Sequence, residues 1–112
     1  MNAFQIPGLQ FSGEAGENVL IRRFVSVNTD GKFVNASAGE NTIGVSTVEA
    51  ATGEVLEVND GIAMVEAGAA VDAGSEVEVG TDGKAITKDS GTSVGIALTK
   101  AGADGEMLAV KL

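Results

Sequence analysis

Val25–Val58 reads VSVNTDGKFVNASAGENTIGVSTVEAATGEVLEV, and Val77–Val110 reads VEVGTDGKAITKDSGTSVGIALTKAGADGEMLAV. Thr29-Asp30-Gly31-Lys32 returns as Thr81-Asp82-Gly83-Lys84, 52 residues on, and Gly53-Glu54 returns as Gly105-Glu106 at the same spacing. Ile43-Gly44-Val45 returns as Val94-Gly95-Ile96 after 51 residues, so one residue is lost and regained between landmarks. Two copies fall short of the roughly three stacked units a solenoid needs to bury a continuous core. The repeat therefore predicts a single domain over residues 17–112 built from two related halves, 25–58 and 77–110.

Both copies are written in β-sheet grammar. Val19, Ile21, Val25 and Val27 alternate onto one face of a strand interrupted by Arg23, with Leu20, Arg22 and Phe24 on the other. Asp30-Gly31 then supplies the positive φ that a tight hairpin requires, and a short strand follows near Phe33-Val34. Ile43, Val45 and Thr47 alternate with Gly44 and Ser46, as Val94, Ile96 and Leu98 do with Gly95 and Ala97. Glycine weakens a strand unless a bulge or another backbone needs the room, so the repeated glycine marks either a bulge or two strands crossing at a pseudo-twofold axis. Between the copies, the Ala-rich stretch 61–79 is cut by Gly68 and Gly74 into pieces too short for a helix in water. Strands at 62–67, 70–72 and 76–79 fit better. In all, nine or ten short strands indicate an all-β sandwich or small barrel.

Residues 1–16, MNAFQIPGLQFSGEAG, stand apart. They hold the only proline and half of the four phenylalanines, and Phe4, Ile6, Leu9 and Phe11 show no helical spacing. This segment is either a first strand that completes the sheet or an extended N-terminal arm that adds to a neighbouring chain's sheet edge, with Phe4, Ile6, Pro7, Leu9 and Phe11 as partner-binding residues.

Composition narrows the chemistry. The net charge is −9, from 16 acids against 7 bases, and only Arg22-Arg23 are adjacent cations. That field repels phosphate backbones and anionic lipid, so nucleic acid and membrane are not expected partners. The chain has no Cys, which removes disulfides and thiolate metal sites. No basic leader followed by an apolar run and no window near the ~18 apolar residues of a membrane span is present, so a soluble, unprocessed protein made in a cytoplasm is expected.

Catalysis has little to work with. His, Cys, Tyr and Trp are all missing, and acids such as Glu76 and Glu78 alternate with valines as on a solvated strand face. No catalytic residue, cofactor or metal is expected, since Asn59-Asp60-Gly61 and Asp82-Gly83 lack the dense acid alternation and closing Glu of a calcium loop. A carbohydrate- or receptor-binding module is a second reading, although sugar sites usually stack the ring on Trp or Tyr. Val79–Ala85 is faintly similar to the lysine hairpin of lipoyl and biotinyl carrier domains. Gly83 separates Asp82 from Lys84, however, and the first copy carries the same Asp-Gly-Lys at 30–32, which a one-lysine carrier does not need.

The order of landmarks carries a more extensive likeness. Ala15-Gly16-Glu17, the turn at Gly31–Val34 and Ile43-Gly44-Val45 are followed by AGAAVDAG at 67–74. Then come Thr81–Ala85, Val94-Gly95-Ile96-Ala97 and a closing strand after Gly105-Glu106. This series resembles the small capsid cement, or decoration, proteins of tailed bacteriophages over nearly the whole chain past residue 15. The resemblance implies an all-β structural protein on the outer surface of the expanded icosahedral virion capsid, reached from the host cytoplasm during assembly. It further implies a trimer that bridges major capsid protein subunits and stabilises the shell, with no reaction and no cofactor.

Overall fold

A computed structural model describes residues 3–112 of the chain. The strands are β1 (Ile6–Glu14), β2 (Phe24–Val27), β3 (Phe33–Asn35), β4 (Gly44–Ser46), β5 (Val55–Glu66), β6 (Glu76–Val79), β7 (Ala85–Thr87), β8 (Gly95–Ala97) and β9 (Met107–Lys111). Their ladders are antiparallel and join in the order β3-β2-β4-β5-β9-β8-β6-β7, with β1 paired to β5 beside this path. The fold is thus all-β, with nine strands and, among the described residues, one 3-10 turn at Thr81–Gly83.

The path reads the same from both ends because the halves are built alike. The first lobe is ordered β1-β5-β4-β2-β3 and the second β5-β9-β8-β6-β7. The twelve-residue β5 serves both: its first half is the last strand of lobe 1, and its second half is the first strand of lobe 2. At the joint, Ile62 pairs with Ile6 of β1 and with Lys111 of β9. A Cβ on Gly61 would stand 2.8 Å from the Gly8 Cα, so the absence of side chains lets the two backbones pass there. Asn59, fully buried, stitches the joint by accepting from the Gly8 N–H at 3.2 Å and donating to the Ile62 carbonyl at 3.3 Å.

Backbone bonds recur at the repeat spacing. The Gly16 N–H donates to the Phe33 carbonyl and the Gly68 N–H to the Ala85 carbonyl, both at 2.8 Å. Val19 and Ala50 exchange a bonded pair, as do Val71 and Ala101. The repeat therefore runs well outside 25–58 and 77–110: β1 itself is the counterpart of the second half of β5, since Glu14 pairs with Val55 as Glu66 pairs with Met107.

The cores follow the same rule. Ala15, Val19, Val25, Phe33, Ala50, Leu56 and Val58 form one buried cluster, with Phe11 and Ile43 against it. Their counterparts Ala67, Val71, Val77, Ala85, Ala101, Leu108, Val110, Ala63 and Val94 all lie in or against the second cluster, which also takes in Phe24, Ala36 and Val45 from lobe 1. Those three residues weld the lobes together. Phe24, fully buried on β2, points away from Val25 and so away from its own lobe's core.

Several local expectations need revision. The strand read through Val19–Val27 is a bridge at Val19, a bend at Ile21-Arg22 and then β2, because Arg22 takes a left-handed φ of 63°. Residues 70–72 contribute only a bridge at Val71. Gly44 and Gly95 do not meet at an axis. A Cβ on Gly44 would strike Val58 and stand 2.7 Å from the Asn59 carbonyl, and one on Gly95 would strike the Lys111 carbonyl and Val110. Each glycine admits the next strand of its own lobe.

Candidate partner-binding surface

The five residues singled out near the N-terminus lie on or beside β1, an integral strand of lobe 1 hydrogen-bonded along β5. Ile6 is 55% exposed and Leu9 65% exposed, while Phe4 is half-buried ahead of the strand. Phe11 turns inward and meets the Phe33 ring edge-on, centroids 5.9 Å apart and planes at 85°. Pro7 falls where the β1–β5 register shifts between Ile6 and Leu9. The segment thus presents Ile6 and Leu9 outward from a strand that Phe11 anchors from beneath.

The second feature, a charged one, is the joint between lobes. Arg23, 9% exposed, places Nη2 3.3 Å from Glu66 Oε1 and donates from Nη1 to the Asp82 carbonyl at 3.3 Å. Lys84 Nζ lies 3.1 Å from Glu66 Oε2 and 2.9 Å from Asp104 Oδ1. Partial burial alone would raise the Glu66 pKa, but hydrogen bonds and charge from Lys84 and Arg23 outweigh it and hold the carboxyl below its ordinary value. Hydrogen bonds to Asp104 and Glu66 raise the Lys84 pKa. The Arg23 Nε has no acceptor among the described residues. A buried cation in such a place is held by geometry more than by net energy, since its desolvation offsets much of the attraction.

This network also answers the carrier-domain reading. Lys84 is tethered by two carboxylates, and the turn before it is wedged against lobe 1, where a Cβ on Gly83 would stand 3.0 Å from the Phe24 carbonyl. A carrier lysine must swing freely between active sites, whereas Lys84 is engaged in two ion pairs.

An open groove of about 780 Å³ runs between the lobes, lined by Glu17, Asn18, Arg23, Asn35, Ser37 and Asp82 among others. It offers polar groups that are largely paired with one another, as where Glu17 Oε2 accepts from the Asn35 N–H and Nδ2. Among the described residues no three acids converge as metal ligands, and no helix is long and apolar enough to cross a membrane. The Arg23 joint was missed by sequence reading; Ala15-Gly16 recurring as Ala67-Gly68, 52 residues on, was the signal that the repeat reaches upstream.

Comparison with known proteins places these features. A family profile described as phage cement protein matches residues 9–112. Among solved structures, the crystal structure of the head fiber gp8.5 N base of bacteriophage phi29 superposes with a TM-score of 0.77 over 93% of this chain and 92% of that one, at 23% sequence identity. At that identity the likeness speaks to the fold. Curated proteins yield no match.

Proposed function

The chain belongs to the phage cement proteins, and on that premise we propose that it attaches to the outer surface of an expanded phage capsid and stabilises it by bridging major capsid protein subunits. Its work is adhesive, without catalysis or cofactor, and it reaches the shell from the host cytoplasm as a trimer.

The observation that carries this reading is the family match over 9–112 combined with a β1 strand that shows Ile6 and Leu9 to solvent. Large apolar side chains left bare on an edge strand are a liability unless a partner covers them. We assign Phe4, Ile6, Pro7, Leu9 and Phe11 to the capsid contact, with Ile6 and Leu9 as the direct anchors and Phe11 as the residue that holds the strand in place. Many identical weak contacts suffice on a shell, because multivalency multiplies modest affinities.

Co-sedimentation tests this. Purified chain is mixed with expanded heads, lacking it, from the phage that encodes it. Saturable binding to expanded heads, reduced by Ile6→Asp with Leu9→Asp in a chain of unchanged melting temperature, is the expected result. Failure of the native chain to pellet with heads overturns the reading.

A further inference from the structure

The two lobes are alike in sequence and topology, yet one face of lobe 2 is covered and, among the described residues, the same face of lobe 1 is bare. What covers lobe 2 is lobe 1 itself. The Glu66 N–H donates to the Arg22 carbonyl at 3.0 Å, and the Gly39 N–H donates to the Val79 carbonyl at 2.8 Å. The Met64 N–H reaches Gln5 Oε1 at 3.4 Å, Arg23 pairs with Glu66, and Phe24 and Val45 enter the core that contains Val79.

Fifty-two residues earlier every one of these receiving groups has a counterpart. Glu14 stands for Glu66, Ser12 for Met64, Val27 for Val79 and Gly31 for Gly83. Among the described residues nothing accepts from the outward N–H groups of Ser12 and Glu14, and nothing donates to the Val27 carbonyl from outside its hairpin. Val27 is 43% exposed where Val79 is 0%. The Glu14–Lys32 pair keeps the 3.1 Å spacing of Glu66–Lys84, but its side chains are 54% and 46% exposed against 19% and 20%. The space a Cβ on Gly31 would fill is open, whereas at Gly83 it is closed by Arg23 and Phe24.

Resting on the capsid reading, we infer that this bare face of lobe 1 is a docking site for a loop of a capsid subunit. That loop presents a backbone carbonyl, a basic side chain and an adjacent apolar side chain, as Arg22-Arg23-Phe24 present them to lobe 2. The carbonyl takes the Glu14 N–H, the cation joins the Glu14 carboxylate, and the apolar group covers Val27 over the Gly31 turn. Charge complementarity names the occupant's sign, since the receiving carboxylate belongs to a chain of net charge −9. A second copy does not fit. Its equivalent of Arg22-Arg23-Phe24 is Gly74-Ser75-Glu76, which brings no cation to Glu14 and would set the Glu76 carboxylate against apolar Val27, and Ile96 there lies between Glu76 and Lys111 on the neighbouring strands.

Two double variants of equal charge change, both on exposed side chains, separate the possibilities. Glu14→Lys with Val27→Asp alters the receiving face; Glu76→Lys with Ile96→Asp alters the face a second copy would have to use. In the head-binding assay the first is expected to weaken affinity by about ten-fold or more, and the second by less than about two-fold, which is the contrast between a buried anchor and a rim position. Hydrogen exchange on bound heads is expected to slow at the Ser12 and Glu14 amides. Native-like binding by Glu14→Lys/Val27→Asp overturns the docking site while leaving the capsid reading intact. Equal loss in both variants overturns it in favour of self-association, and no binding by the native chain overturns both readings.

Discussion

Gly13 and Phe33 exchange volume with Val65 and Ala85. A Cβ on Gly13 would stand 2.6 Å from the Phe33 ring, whereas lobe 2 puts Val65 at the glycine's position and Ala85 at the ring's. Gly13→Val should therefore cost about 1–3 kcal/mol by overpacking and Phe33→Ala about 3–5 kcal/mol by cavity formation. Urea unfolding of the double variant is expected to show a loss smaller than the sum by at least about 1 kcal/mol, because together they rebuild the lobe 2 solution. Glu66 supports a second test. Its carboxyl pKa is depressed in the fold, so its contribution is complete above the unfolded-chain value of about 4.3 and is lost as pH falls through the lower folded value. Glu66→Gln should be less stable than the native chain by about 1–3 kcal/mol at pH 7, with the gap closing under strong acid. The Gly13–Phe33 exchange was not legible in the sequence, since a compensating pair shares no letters between copies, and Glu66 was not because its partner Arg23 has no basic counterpart in the other copy. Arg22 hid a bend that Gly74 advertises at the matching position: its φ of 63° is kept as its guanidinium donates to Gln5 at 2.8 Å.

Among elements, β4 and β8 are short strands that each need a glycine beside a neighbouring carbonyl, and the alternation around Ile43 and Val94 was enough to mark them. Their demands differ. Gly44 has a φ of 147°, unsuited to an L side chain, while Gly95 has only crowding. Thermal unfolding should thus rank Gly44→Val as the more damaging, by about 1 kcal/mol or more beyond Gly95→Val. Hairpins β2–β3 and β6–β7 were equally readable, because Asp-Gly dictates the turn and Gly31 and Gly83 take φ of 79° and 74°. The dual role of β5 was not readable. Periodicity shows which face a strand buries, whereas which neighbour it pairs with depends on long-range register that no local pattern carries. Hence β1 passed for either arm or strand until its ladder with β5 was seen.

For the whole molecule, the class of fold was legible because a repeated β pattern carries it, and membership of the phage cement proteins was legible through the order of Gly and Ala landmarks rather than through composition. The face proposed to receive a capsid loop was not, since bareness is a comparison between lobes that only three dimensions provide. Trimer formation belongs to this scale. Sedimentation equilibrium is expected to give three times the 11.2 kDa chain mass, and a single-chain mass at all concentrations would contradict it. Sharing β5 also has a mechanical consequence. Under the capsid reading proposed above, a shell that drew lobe 1 and lobe 2 apart along β5 would pull on one uninterrupted backbone segment, paired with β1 along its first half and with β9 along its second. Such ladders fail by sliding, with many bonds strained at once, and resist far better than ladders opened one bond after another. The stitch between lobes is thus shaped to carry load.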